Sequence, residues 1–320
     1  MINWWILFYI LIFPGFLFCL VAAFLLSGID RKLVARMQKR IGPPILQNFY
    51  DFMKLMGKET IIPHEANRAV FLAAPVVGLL ALVTVVLFIP IYRFSAFGGI
   101  ADVVVILYLL TVPAVALIVG GAASGSPYAG VGISREMVAV LSYELPLVMV
   151  LLAIGKKVGL ALGENAVTFS MANIAAYQNL FGPLIAKWSM IPAALAMLLV
   201  IPCEVGCHPF DVAEAETEIC EGPLVEYSGA PLGIFKLNYY LKMFVMTALF
   251  TALFLGGRGT GYIALDALVF FLCCVCVTAV SMSLVRAVTA RLKVEQVFKF
   301  YWTVVAGLAL ISLVLAWFGL

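Results

Sequence analysis

Three observations predict an all-α, polytopic membrane fold for this 320-residue chain. Hydrophobic residues make up 64% of it and charged residues only 12%, mean hydropathy is +1.12, and apolar runs of about 20 residues recur along the whole length. A soluble domain with an ordinary charged surface does not reach such values. In hydrocarbon a backbone segment satisfies its own N–H and C=O groups by coiling into a helix, so each apolar run is read as a helical span.

Eight spans are expected, in one membrane domain, at about 3–26, 69–91, 101–123, 134–155, 189–206, 238–256, 262–285 and 299–319. The first, Asn3 to Leu26, exceeds the apolar core of a secretion signal and is followed by no small-residue cleavage pattern, so it is expected to be retained. The loop after it, 27–68, contains ILQNFYDFMKLMGKE at 45–59. There Leu46, Phe49, Met53 and Met56 make one helical stripe and Gln47, Asp51, Lys54 and Lys58 another, the pattern of a helix lying in the interface. Pro43 and Pro44 start it, because proline is tolerated in a first turn and not in a helix interior.

The second and third spans are almost free of charge, with Asp102 close to the start of the third, where interface placement explains it. The fourth, by contrast, opens SREMVAVLSYELP and so carries Arg135, Glu136 and Glu144. The fifth is interrupted by Pro192 and Pro202 and leads directly into loop 207–237. Lys242 lies in the sixth, Asp266 near the start of the seventh, and Lys299 opens the eighth.

Lys and Arg divide unevenly between the loops. Fifteen of the 20 fall on the side of loops 27–68, 124–133, 207–237 and 286–298, if Lys236 and Lys242 at the start of the sixth span are included. Arg93, Lys156, Lys157, Lys187 and Arg258 fall on the other. The positive-inside rule therefore makes those four loops cytoplasmic and puts both termini outside a cell membrane.

The charge that most needs explaining is PCEVGCHPFDVAEAETEICEGPLVEYSG, residues 202–229. It holds seven of the seventeen carboxylates, Glu204, Asp211, Glu214, Glu216, Glu218, Glu221 and Glu226, and no Lys or Arg. A charged side chain near hydrocarbon costs about 2.5 to 3.5 kcal/mol on insertion scales, so such a run is read first as an ion or proton path. On a helix, Asp211, Glu214, Glu218 and Glu221 would share a stripe, with Glu216 pointing away. Carboxylates crowded this way raise one another's proton affinity. The plainer reading is a solvated acidic face that binds a basic partner.

Glu136 and Glu144, two turns apart in the fourth span, are candidate successive stations, with Arg135 placed to pair with one of them. A buried structural ion pair is the alternative. Lys242 is deep enough to pair with a carboxylate of the acidic loop or of the fourth span. Lys54, Lys58, Glu59, His64 and Glu65 of the first loop could line a site or simply anchor it at the interface.

Other chemistries are poorly supported by the residues. His208 with Cys203 and Cys207 lacks a full metal-ligand set, and the seven cysteines show neither a disulfide framework nor an iron–sulfur or zinc spacing. No Walker A sequence, dinucleotide fingerprint or pair of histidines for haem is present. The chain itself is expected to hold no cofactor and no metal and to carry out no catalysis on its own.

Three runs together resemble a known family. RKLVARMQKRIGPPILQNFYDFMKLMGKE (31–59), HPFDVAEAETEICEGPLVEYSG (208–229) and RLKVEQVFKFYW (291–302) are similar to the loops of the membrane subunit that joins the hydrophilic and membrane arms of respiratory complex I. Within that superfamily, EGPLVEYSGAPLGIFKL and LKMFVMTALFTALF look more like the membrane-bound NiFe-hydrogenase version than the quinone-reducing one. The resemblance implies a subunit that docks an electron-transfer arm and couples its redox events to H⁺ or Na⁺ movement. It implies partners: hydrogenase-like large and small subunits, a ferredoxin-like iron–sulfur subunit and antiporter-like membrane subunits, with the NiFe centre and clusters housed in them.

Carried over by position, Arg36, Arg40, Gly42, Pro43, Asp51, Lys54, Lys58 and Glu59 match the docking and coupling loop. Glu136 and Glu144 match the start of an intramembrane hydrophilic axis, and Asp211, Glu214, Glu216, Glu218, Glu221 and Glu226 match the acidic loop. The alternatives that remain are a quinone-reducing or sulfur-reducing relative and, in another class, a stand-alone secondary transporter.

Overall fold

A computed structural model of the chain describes residues 9–92, 101–163, 167–257, 259 and 261–319, without the side chains of Glu216 and Thr217. Eight helices among them are long and apolar enough to cross a membrane. The predicted start at Asn3, and Arg93 and Arg258 of the opposite side, lie outside the described residues. In order the helices are α1 (Phe16–Met37), α2 (Gln47–Met56), α3 (Arg68–Phe88), α4 (Val103–Ala123), α5 (Pro127–Ala161), α6 (Met171–Phe181) and α7 (Ile191–Val205). They continue as α8 (Glu216–Ile219), α9 (Gly229–Phe254), α10 (Ile263–Thr278), α11 (Leu284–Val288), α12 (Val294–Phe300) and α13 (Ala306–Trp317). A π-helical stretch, Ala279–Ser283, joins α10 to α11, and another, Tyr301–Val305, joins α12 to α13.

Helix α9 is the post around which the rest is arranged. Every residue from Leu241 to Phe254 is buried, and it packs on α1, α2, α3, α7 and α10. Between helices in lipid the hydrophobic effect supplies little, so close approach and polar links must hold the bundle. Small residues provide the first: Gly78 of α3 lies against Ala116 of α4, and Gly120 of α4 against Ala74 of α3, in a tightly packed antiparallel pair.

Proline supplies one of the second. Pro75 has no N–H to offer Phe71 O, four residues back in α3. The Tyr227 hydroxyl takes that place, donating to Phe71 O at 3.1 Å while its ring stacks on Phe71 at 3.9 Å between centroids. The end of the acidic run is thereby fixed to α3.

Two predicted boundaries are corrected. The first helix continues to Met37, eleven residues beyond Leu26, because its Asp30 finds partners: Ser283 Oγ donates to it at 2.6 Å and Arg286 at 3.1 Å. Likewise α9 begins at Gly229 rather than at 238, which places Lys242 about 20 Å along the helix, too far in to count with the loop charges. The remaining fourteen basic residues on that side still outnumber five.

At one end of the bundle the four loops expected to share a face do meet. Asn67 N–H donates to Ala123 O at 3.0 Å, and Leu292 N–H to Pro209 O at 3.2 Å. Ser228 Oγ accepts from Ile61 N–H at 2.9 Å. Gly229, at φ +61°, sits where a Cβ would lie 2.7 Å from Glu59 O, so only glycine fits. Helix α5, 35 residues long and so about 52 Å, exceeds a hydrocarbon core of about 30 Å and projects its first turns into this end.

Tyr227→Phe should lower stability by about 1 to 3 kcal/mol, since it leaves a buried carbonyl unpaired. Thermal unfolding of the detergent-solubilised protein, followed by circular dichroism, measures the loss.

Candidate functional site: two cavities joined at Glu214

The acidic run does not form the predicted carboxylate stripe. Between Asp211 and Glu221 only Glu216–Ile219 is helical, and Cys220 and Glu221 then take left-handed backbone angles. Gly222 follows at φ +50°, against Ala213 O and the start of α5, where no Cβ has room. Left-handed residues end a helix, and Pro223 denies it a donor. Each acid is therefore aimed separately.

Asp211 takes a two-pronged ion pair from Arg291, at 3.0 and 2.7 Å, with His208 Nδ1 3.6 Å away. Glu218 pairs with Arg135. That corrects the expected pairing of Arg135 within its own helix, since sequence neighbours on a helix diverge. Glu226 lines neither of the two cavities described below, and the side chain of Glu216 lies outside the described residues.

An inner cavity of about 70 Å³ lies between α4, α5, α7 and α9. Its lining includes Glu136, Glu204, Asn238 and Lys242, with Asp211 and Glu214 at its mouth. Lys242 Nζ stands 3.1 Å from Glu204 Oε1, and both side chains are almost inaccessible. Glu136 faces the same space, with no ion pair among the described residues. Glu144, two turns on, lines neither cavity.

An outer cavity of about 320 Å³ lies under α2, between α1, α9 and α11. Asp30, Arg31, Glu214, Glu221, Lys236 and Arg286 are its charged lining, with Tyr239 and Tyr240 beside them. Glu214, Leu224, Phe235 and Tyr239 belong to both cavities, Glu214 being the carboxylate they share. Burial raises the Glu214 carboxyl from 4.5 to about 7, with Glu136, Glu221 and Asp211 pushing the same way and Lys236 opposing. It is thus able to hold or release a proton near neutrality.

The sequence reading missed Asp30, Glu204, Lys236, Tyr239 and Arg286 as site residues. Asp30 and Arg286 are far apart in sequence and carry no joint signal. Glu204, in the last turn of α7, belongs to the acidic run but is not among the residues carried over by the family resemblance.

The docking-loop residues form a separate surface. Arg36, Arg40, Lys54, Lys58 and Glu59 are exposed, whereas Asp51 is half-buried and accepts from Gln47 at 2.9 Å. Arg36, Arg40 and Gly42, with Lys32 and Lys39, line a shallow basic cleft; Pro43 lies beside it. Helix α2 lays Asn48, Phe52 and Leu55 against the bundle and leaves Leu46, Phe49, Met53 and Met56 exposed, as suits an interfacial helix. His208 Nε2 turns to Thr289 O at 3.2 Å, and His64 and Glu65 are exposed.

Because the native Glu214 holds its proton above the pH at which the unfolded chain releases it, stability should fall as pH rises from 4.5 to about 7. Melting temperatures across that window should decline less in Glu214→Gln than in the wild type.

Comparison with known proteins extends over nearly the whole chain. It is 34% identical to the NADH-quinone oxidoreductase H subunit of Geobacillus kaustophilus (strain HTA426), over 94% of this chain and 92% of that one. Hydrogenase-4 component C of Escherichia coli (strain K12) is 35% identical over 72% of this chain and 70% of its own. Among solved structures, a chain of the membrane-bound sulfane sulfur reductase, an archaeal respiratory membrane complex, superposes with a TM-score of 0.86. That match is 28% identical and covers 94% of this chain and 96% of the other. The family model described as NADH dehydrogenase matches residues 9–317, and the chain is a multi-pass membrane protein belonging to that family.

Proposed function

We propose that this chain is the membrane subunit of a multisubunit respiratory complex of the membrane-bound NiFe-hydrogenase type. It docks the electron-transfer arm and couples the arm's redox chemistry to H⁺ or Na⁺ translocation. The observation that carries the reading is the pair of cavities sharing Glu214 at the end where all four loops meet. A change of charge at that face, made by an electron arriving in a docked partner, shifts the proton affinity of Glu214. Glu136 and Glu204, one cavity further in, feel the change in turn.

The basic cleft of Lys32, Arg36, Lys39 and Arg40, with exposed Lys54 and Lys58, offers the complementary docking surface. Hydrogenase-like large and small subunits and a ferredoxin-like subunit would bind there, bringing the NiFe centre and iron–sulfur clusters. Antiporter-like subunits would adjoin the spans in the cell membrane, with the loops cytoplasmic and both termini outside. Electron chemistry belongs to those partners, and this chain contributes charges, cavities and a rigid frame.

Six ionisable side chains around the outer cavity are a poor lining for an apolar quinone, which disfavours the quinone-reducing alternative. The sulfur-reducing alternative keeps the same docking face and differs in the catalytic partner. Solubilised from native membranes, the chain should co-purify with cluster-bearing soluble subunits, and the assembly should evolve hydrogen from reduced ferredoxin. An assembly that reduces sulfur and evolves no hydrogen would replace the hydrogenase by its sulfur-reducing relative. Ion flux through vesicles holding this chain alone would instead make it a transporter.

A further inference from the structure

The inner cavity is lined by four carboxylates, Glu136, Glu204, Asp211 and Glu214, and by one cation, Lys242. Lys242 rises from α9 to within 3.1 Å of Glu204 on α7, and Glu136 of α5 completes the lining from the third side. Asn238 donates to Pro75 O at 3.0 Å, which fixes its amide. Its Oδ1 is buried without a hydrogen-bond partner, an oxygen that a small guest would use. At about 70 Å³ the space accepts about two water molecules.

A sodium ion also seeks oxygens, and without Lys242 two carboxylates and an amide oxygen would suit it as hard ligands. The ammonium changes this. It already occupies the position beside Glu204 that a mobile cation would take, and in a space this small a second cation cannot stand clear of it. Like charges a few ångströms apart and out of water repel strongly. With Glu204 matched by Lys242, the site needs one more positive charge to balance Glu136, and a proton on the carboxylate supplies it without adding a second ion.

We propose that Lys242 is a tethered cation that sets the ion selectivity of this cavity, so that it exchanges protons and excludes Na⁺. Resting on the coupling role proposed above, this names the ion and the residue that selects it. Asp211 is held by Arg291 and adds no free charge. Glu214, at the mouth, is the group through which a proton enters.

The test uses the assembled complex and reads binding rather than turnover, so it is independent of whether ions are pumped. Infrared difference spectra of the complex are recorded on exchanging choline chloride for sodium chloride. The wild type should show no Na⁺-induced carboxylate band. In Lys242→Met, which keeps the length and loses the charge, such a band should emerge, with Na⁺ affinity raised about tenfold or more, and Lys242→Arg should restore the wild-type silence.

A Na⁺-induced band in the wild type that Glu204→Gln or Glu136→Gln removes would overturn the proposal, and this arm decides the matter even where Lys242→Met does not assemble. An assembled Lys242→Met complex that stays silent would overturn it as well. A complex silent to Na⁺ as expected but unable to move any ion would count against the coupling role and leave the selectivity standing.

Discussion

Charge in an apolar chain must be matched or made neutral, and the structure is arranged around that requirement. An isolated ion in hydrocarbon costs several kcal/mol or more. Asp30 is held by Arg286, Glu204 by Lys242, Asp211 by Arg291 and Glu218 by Arg135. Each pair joins segments that are distant in sequence: α1 to α11, α7 to α9, and the acidic loop to both the last loop and α5. Glu136 and Glu214 have no such ion pair among the described residues; Glu136 lines the inner cavity, and Glu214 lines both.

This division separates frame from function. Removing either partner of a buried pair leaves an uncompensated charge, so Glu204 and Asp30, both almost inaccessible, hold the bundle, whereas the half-exposed Glu218 contributes little. Tyr227 on α3, Ser228 against Ile61 and Gly229 against Glu59 extend that hold to the first loop. On the proposed reading, an unmatched carboxylate answers a docked partner's charge by changing its protonation.

Where helices cross was legible in the sequence, because hydrocarbon allows the backbone little else. Where they end was less so. Asp30, Arg31 and Lys32 read as the start of a loop, yet the helix continues through them since Ser283 and Arg286, more than 250 positions away, receive Asp30. Lys242 lowered the apolarity of its segment in the same way, although Glu204 compensates it. The carboxylate spacing suggested a helical stripe, but Gly222 and Pro223 decide the local backbone and scatter the acids. The concentration of acid in this run is a matter of composition, which does not depend on which way the side chains point. Glu144 shows the limit of spacing: two turns from Glu136, it is rotated out of both cavities.

Glu214 lines both the outer cavity and the inner one, and the proposed coupling runs through it. Redox-driven ion uptake by vesicles carrying the purified complex tests this most directly, comparing Glu214→Gln with Glu226→Gln, a change in the same loop outside both cavities. Glu214→Gln should keep the electron-transfer activity and lose ion uptake at least about tenfold, whereas Glu226→Gln should keep both. Uptake undiminished in an assembled Glu214→Gln complex would contradict that role.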